Sequence, residues 1–282
     1  MKMKMKKRAS IGPALLFLFT CLFSSAQLYA ANLLVFGDRT TDKANLETSL
    51  TNLGHTVTNV GALPADLSGY DGIWHVMATS AVLTPADQTQ LAAYLASGGG
   101  LHLTGERPCC EGLNDTVEAF VNSVVIGGGI QVGDLGDIGG PYNVNSSAAG
   151  GIANTPNNLT VWNPSASGGM GGLGSLPDSN IFTTGAGGVP TGAVWVEQDL
   201  VSGGRLTLLM DVNWFSNTDT DNLNMVENIV DFQLSATGGS AGPTPPAAFQ
   251  QIPTMPQWAM ILLAAFMVLA AVTRGRQRLI AK

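Results

Sequence analysis

Four short strand-like runs, each ending in glycine or a polar turn and three of them followed by a stretch of helical periodicity, constrain this chain more than any other feature. "NLLVFGD" opens the series at Asn32 and is followed by "DKANLETSLTNLG", where Leu46, Leu50 and Leu53 recur at helical spacing and Gly54 ends the run. "HTVTNV" and "YDGIWHVMA" are the second and third strands. "LTPADQTQLAAYLASGGG" is a marked helix, with Thr84 placed to cap, Pro85 in the first turn and Leu91 and Leu95 on one face. "GLHLTGE" is the fourth strand, and "NDTVEAFVNSVV" the next helix.

Runs that are apolar throughout, not alternately, belong to strands buried on both faces, and strands alternating with helices make a parallel sheet. Right-handed crossovers then predict an α/β fold, a three-layer sandwich with a mainly parallel sheet. Late in the chain "GGRLTLLMDVNWF" resumes the buried-strand pattern. "DTDNLNMVENIVDFQL" follows as a helix, with Leu223, Val226, Ile229, Val230 and Leu234 as its predicted apolar stripe.

Between these blocks, residues 127–204 hold 20 of the 35 glycines, with short possible strands such as "NLTVW" and "GAVWVEQ". That much glycine weakens regular elements. The region reads as an irregular, partly β insertion on the sandwich, with a separate small β domain as the alternative. The folded part is expected over 31–236. "ATGGSAGPTPPAAFQQ" then reads as an uncharged Gly/Pro linker over 237–251.

Charge is distributed unevenly. Residues 32–251 carry all 20 acidic side chains and only Arg39, Lys43, Arg107 and Arg205 as basic ones, a net charge of −16. Such a surface argues against nucleic acid as a partner, because a phosphate backbone needs clustered Lys and Arg. The other basic residues sit at the two ends. "MKMKMKKRAS" followed by "IGPALLFLFTCLFSS" and "AQLYA" has the three regions of a signal peptide, with cleavage by signal peptidase expected after Ala30, or after Ala26. An uncleaved anchor and a lipoprotein at Cys21 are the alternatives.

At the other end, Trp258 to Thr273 is an uncharged run of 16 residues, about 24 Å as a helix. Counting from Ile252 gives about 33 Å, against a bilayer core of roughly 30 Å. The "RGRQR" cluster that follows places that end on the cytoplasmic side. The expectation is a C-terminal transmembrane helix over 258–273, anchoring an exported domain in the membrane.

"IPTMPQW" at the outer end of this run resembles the IPTL-CTERM sorting signal of Gram-negative bacteria. Ile252, Pro253, Thr254 and Trp258 match in register, Met255 replaces leucine, and Arg274, Arg276 and Arg278 supply the basic cluster. Pro256 and Gln257 depart from the usual Ser-Glu. The resemblance covers about 30 residues and implies processing over 252–282 by an exosortase-like transpeptidase, with transfer to the cell surface or an extracellular polysaccharide matrix; a permanent anchor is the alternative.

The opening strand, the central "YDGIWHVMA" to "GLHLTGE" block and the closing strand, Asp-containing loop and helix together resemble the class I glutamine amidotransferase-like fold, a flavodoxin-like arrangement. Active members of that family carry a nucleophilic Cys on the turn after the central strand and a His late in the domain. Here Gly105 and Glu106 stand at that turn, and His55, His75 and His102 all precede it. Asp211 and Asn213 occupy the late position, so the family's Cys–His dyad is missing in its expected order.

Four side chains fall at the expected carboxyl ends of strands, where open α/β sheets bind ligands: Asp38, Glu106, Arg107 and Asp211. They are the candidate pocket for a small molecule or glycan, and the acidic three are candidates for hydrolysis. Cys109 and Cys110 are the two cysteines of a chain cleaved after Ala30. They can form a vicinal disulfide, stay free or bridge to another molecule, and Arg107 would favour a reactive thiolate in Cys109. Asn217, Asp219 and Asp221 offer oxygen ligands suited to Ca²⁺, as do Asp134 and Asp137, or they serve as solvated loops and a helix cap. No other cofactor is expected. The sum is an exported surface or matrix protein with a non-catalytic binding or structural role, or alternatively a secreted hydrolase using Glu106, Asp38 and Asp211.

Overall fold

The computed structural model describes residues 30–78, 82–172 and 177–235. The first strand, β1 (Asn32–Phe36), sends Leu33 and Val35 into one core and Leu34 and Phe36 into the other. It leads to α1 (Thr40–Asn52), which ends before Gly54 at φ +94°, the left-handed conformation a side chain would oppose. Then come β2 (Thr56–Val60), β3 (Gly72–His75), α2 (Pro85–Ala96), β4 (Gly100–Thr104) and α3 (Glu111–Val124). The predicted cap of α2 is a full capping box. Thr84 Oγ1 accepts from the Asp87 N–H at 3.2 Å, and Asp87 Oδ2 accepts from the Thr84 N–H at 3.0 Å.

The glycine-rich region supplies β5 (Gln131–Ile138), β6 (Asn143–Val144), β7 (Ser167–Gly171), β8 (Ile181–Thr184) and β9 (Pro190–Trp195). Strand β10 (Arg205–Leu209) and helix α4 (Thr220–Leu234) close the domain. The main sheet has eight strands in the order β2-β1-β3-β4-β10-β9-β8-β6. The first five are parallel, in the flavodoxin-like order, and the last three run antiparallel to their neighbours. Strands β5 and β7 form a separate antiparallel ribbon.

One apolar core lies between the sheet and α2, α3 and the ribbon, around Phe36, Leu103, Phe120 and Met170. The other lies under α1 and α4, around Trp74, Trp162, Trp214 and Phe232. The result is a mixed α/β domain of three layers. The insertion extends the sheet through β9 on β10. "NLTVW" contributes no strand of length, only an isolated bridge between Val161 and Asn143.

Two expectations need correction. The stripe of α4 is rotated from the predicted one: Leu223 and Leu234 are 40% and 37% exposed, whereas Met225, Val226, Ile229, Val230 and Phe232 are buried. Polar residues account for the difference. Asn222, Asn228 and Gln233 are also buried, because Asn228 Nδ2 donates to the Ile152 and Asn157 carbonyls at 2.8 Å and Gln233 Nε2 donates to the Ile73 carbonyl at 3.0 Å. Amides that find backbone partners can face the core, and a hydrophobicity pattern does not register them.

The second correction concerns the membrane. No helix among the described residues is long and apolar enough to cross a bilayer. The longest, α4, has 15 residues, about 22 Å, and carries acidic side chains on its outer face. The fold class is therefore a mixed α/β domain without a spanning helix among those residues, and the membrane-anchored location expected from sequence is not upheld. The signal peptide expected over 1–30, apart from Ala30 itself, the linker expected over 237–251, the helix expected over 258–273 and the expected sorting residues Ile252 to Arg278 lie outside the described residues.

Candidate functional site at the carboxyl edge of the sheet

Strand register builds the site. Thr104 pairs with Leu209 across β4 and β10, and the Gly105 N–H continues the ladder by donating to the Leu209 carbonyl at 2.9 Å. Two residues past each strand end stand Glu106 and Asp211, buried at 5% and 1% exposure. Asn114 on α3 fixes the Glu106 backbone, since Oδ1 accepts its N–H and Nδ2 donates to its carbonyl, both at 2.9 Å. Glu106 Oε1 accepts from the Val212 N–H at 3.0 Å. Asp211 accepts from the Asn213 N–H at 2.8 Å, the Ala166 N–H at 3.0 Å and the Ser165 N–H.

These bonds set the electrostatics. Burial pushes the Glu106 carboxyl up to about 7, and nearby Asp211 adds to the rise. The Val212 and Arg107 N–H groups and the positive charge of Arg39 oppose it. Burial likewise raises Asp211, and Asp42 contributes, while its three amide donors pull the other way. Glu106 is thus a carboxyl that exchanges its proton near neutrality at a fixed position.

Asp38 lies at the end of β1, where Oδ1 accepts from the Ala78 N–H at 3.1 Å and ties the β1 and β3 loops across the point at which strand order reverses. Beside it the start of α1 adds residues that no motif marks. Arg39 pairs with Asp42 at 2.9 Å, Ser216 Oγ donates to Asp42 Oδ1 at 2.6 Å, and Lys43 Nζ donates to the Val60 carbonyl at 2.6 Å. Burial lowers the Lys43 pKa, against the charges of Asp38 and Glu47. The run "DRTTDK" directly after the first strand carried the signal for this network. Arg107, expected in the pocket, turns to the surface and meets Asp137 at 3.4 Å, with both side chains well exposed.

The remaining candidates have other work. Asp219 caps α4, accepting from the Asn222 N–H at 2.8 Å, and its second oxygen accepts from Asn163 Nδ2 at 2.8 Å. Asn217 bonds the Asp219 N–H and the Asn163 carbonyl, Asp221 lies exposed in the first turn of α4, and Asp134 is exposed on β5. His75 and His102 are fully buried, and burial pushes both down to about 3, so they are neutral near pH 7. His102 Nδ1 shares a hydrogen bond with Thr207 Oγ1 at 2.8 Å among aromatic rings, 4.8 Å from Trp74. His55 accepts from the Ala31 N–H at 3.2 Å. Cys109 and Cys110 are bonded to each other, and their sulphurs lie within 4.8 Å of a Glu106 oxygen.

The fold and site define a mixed α/β domain of flavodoxin-like strand order with a buried acidic corner at its carboxyl edge. No family model and no curated protein matches the sequence. Among solved structures, one described as a ThuA-like protein from Bacteroides uniformis matches at 15% identity over 73% of this chain and 91% of that chain, with a TM-score of 0.43. A likeness at that distance carries no functional argument.

The position of Glu106 gives a pH signature. A carboxyl whose folded pKa lies above its unfolded one favours the fold most below the unfolded value, and the contribution is lost as pH rises from about 4.5 towards about 7. Denaturant unfolding of the wild type should therefore lose about 3 kcal/mol relative to Glu106→Gln across that window. Parallel pH curves for the two proteins would show that Glu106 titrates as an ordinary surface acid.

Proposed function

We propose that this chain is a non-catalytic binding or structural protein built on an amidotransferase-like scaffold. One observation carries the reading: the two acidic groups of the corner are committed to backbone N–H groups of neighbouring segments, Glu106 to Val212 and Asp211 to Ser165, Ala166 and Asn213. A carboxylate holding amides in this way braces strand ends. The sulphurs are bonded to each other, His75 and His102 lie inside the sheet and His55 sits before β2 against the Ala31 N–H, which leaves the corner without a nucleophile and base of the amidotransferase kind. Extracellular polysaccharide is the expected ligand class, and the exposed Asp38 with the half-buried Arg39 at the end of β1 are where a glycan hydroxyl would find an acceptor and a donor.

The raised Glu106 supports a second reading. A carboxyl titrating near 7 has the pKa of a general acid, so a hydrolase with Glu106 as proton donor and Asp211 as its charged neighbour is the rival. Turnover on a panel of glycosides and esters separates the two. The first reading expects no turnover above background from the wild type; turnover that disappears in Glu106→Gln at unchanged fold would establish the hydrolase.

We further propose, from the resemblance of residues 252–258 to the IPTL-CTERM signal, that the C-terminal segment is a processing signal for an exosortase-like transpeptidase. Mass spectrometry of the protein from its own cells should find a chain ending upstream of Trp258. A mass that retains the full tail would contradict the proposal.

A further inference from the structure

The acidic corner holds a second chemistry that the non-catalytic reading leaves unused. Cys109 and Cys110 close the 3₁₀ turn Pro108–Cys110, and Cys110 is also the N-cap of α3, a helix of 14 residues, where it makes no side-chain capping bond. Cys110 is 3% exposed, Glu106 is 5% exposed, and Cys109 faces solvent. The ligand atoms of Glu106, Cys109 and Cys110 all lie within 4.8 Å of one another. This is the group of three His, Cys, Asp or Glu side chains so placed among the described residues.

We propose that reduction of the Cys109–Cys110 disulfide converts this corner into a binding site for a thiophilic dication, with Zn²⁺ the best fit, held by two thiolates and the Glu106 carboxylate. In the oxidised form the sulphurs are bonded to each other and the site is closed. A dithiol reductant opens it: its thiolate attacks one sulphur, the S–S bond breaks, the reductant leaves as its own disulfide, and Cys109 and Cys110 take up two electrons and two protons as thiols. The dication then displaces those two protons to solvent. Two thiolates and one carboxylate leave the bound site with a net charge of −1.

The geometry suits that cation. Zn–S bonds of about 2.3 Å and Zn–O bonds of about 2.0 to 2.2 Å in a tetrahedron keep ligand atoms about 3.3 to 3.8 Å apart. On reduction the sulphurs part from bonding distance to about 3.8 Å, an opening on the order of 1.5 Å within reach of the exposed Cys109 side chain, and a Glu106 oxygen already lies within 4.8 Å of both. Soft thiolate ligands favour zinc over magnesium or calcium. Two features prepare the ligands. The helix N-terminus at Cys110 stabilises a thiolate. The Asn114 clamp and the Val212 N–H hold Glu106 in place before any cation arrives. Three protein ligands leave a fourth position for water. This inference stands independently of the non-catalytic reading, because it requires no turnover.

Calorimetric titration of the full-length chain with Zn²⁺, in a Cys21→Ser background so that only this pair can respond, tests it. The dithiol-reduced protein, freed of reductant without air, should bind one Zn²⁺ per chain, and the oxidised protein none. Cys109→Ser should abolish stoichiometric binding, and Glu106→Gln should weaken it at least about tenfold, with circular dichroism reporting that each variant is folded. X-ray absorption of the Zn²⁺-loaded wild type is independent of any variant. It should show two sulphurs and lighter oxygen ligands around zinc. Equal binding by oxidised and reduced protein, no binding by the reduced one, or a first shell without sulphur would each overturn the proposal.

Discussion

The pairing of β10 with β4 on one side and β9 on the other is the constraint from which the rest of the molecule follows. Leu206 to Leu209 pair in parallel with Leu101 to Thr104 and antiparallel with Gly192 to Trp195, so β10 joins the parallel half of the sheet to the antiparallel half. The strand is fully buried on both faces, and its apolar side chains contribute to both cores. At about 25 cal/mol for each Å² of apolar surface removed from water, no surface interaction in this domain competes with that burial. Its register also decides the chemistry at its end. Because Leu209 lies opposite Thr104, Asp211 and Glu106 are brought side by side in a place with little water, and the rise of the Glu106 pKa to about 7 follows.

Burying two neighbouring carboxyls is costly unless hydrogen bonds compensate. Here the compensation comes from backbone amides of the β10 exit and of the insertion, and the charge of Arg39 adds to it. The insertion is therefore part of the corner and not an appendage. Gly168 on β7 shows how closely it packs, since a Cβ there would lie 2.6 Å from the Glu106 carbonyl oxygen and 2.8 Å from the Arg107 Cα. The Gly168 N–H donates to the Met210 carbonyl at 2.8 Å, which locks the ribbon onto the end of β10.

Much of this was legible in the chain. Buried parallel strands show as unbroken apolar runs, and Thr84 with Pro85 marks a helix start, so the parallel half of the sheet, its helices and the strand-end positions of Asp38, Glu106 and Asp211 could be read directly. Of the insertion only "GAVWVEQ", which becomes β9, showed as a strand; the ribbon did not. Its strand β7, "SGGMG", carries glycine because a backbone must pass within contact distance of Glu106 and Arg107, and in a sequence that glycine is indistinguishable from a loop. The exchange of Arg107 for Arg39 was hidden for a different reason: adjacent residues on an extended segment point opposite ways, and only the register shows that Arg107 faces Asp137 on the surface. The sulphur pairing was one of several arrangements open to neighbouring cysteines, and spacing alone does not choose among them.

Glu106 is a buried carboxyl whose ionisation the Val212 amide, bonded to its Oε1, reports. Following the Val212 amide proton by NMR from pH 4 to 9 measures this directly. A downfield shift as the carboxyl ionises, with its midpoint near 7 and absent in Glu106→Gln, is the predicted result. A midpoint near 4.5, or an amide that does not respond, would contradict the claim that this corner is a buried brace between the ends of β4 and β10.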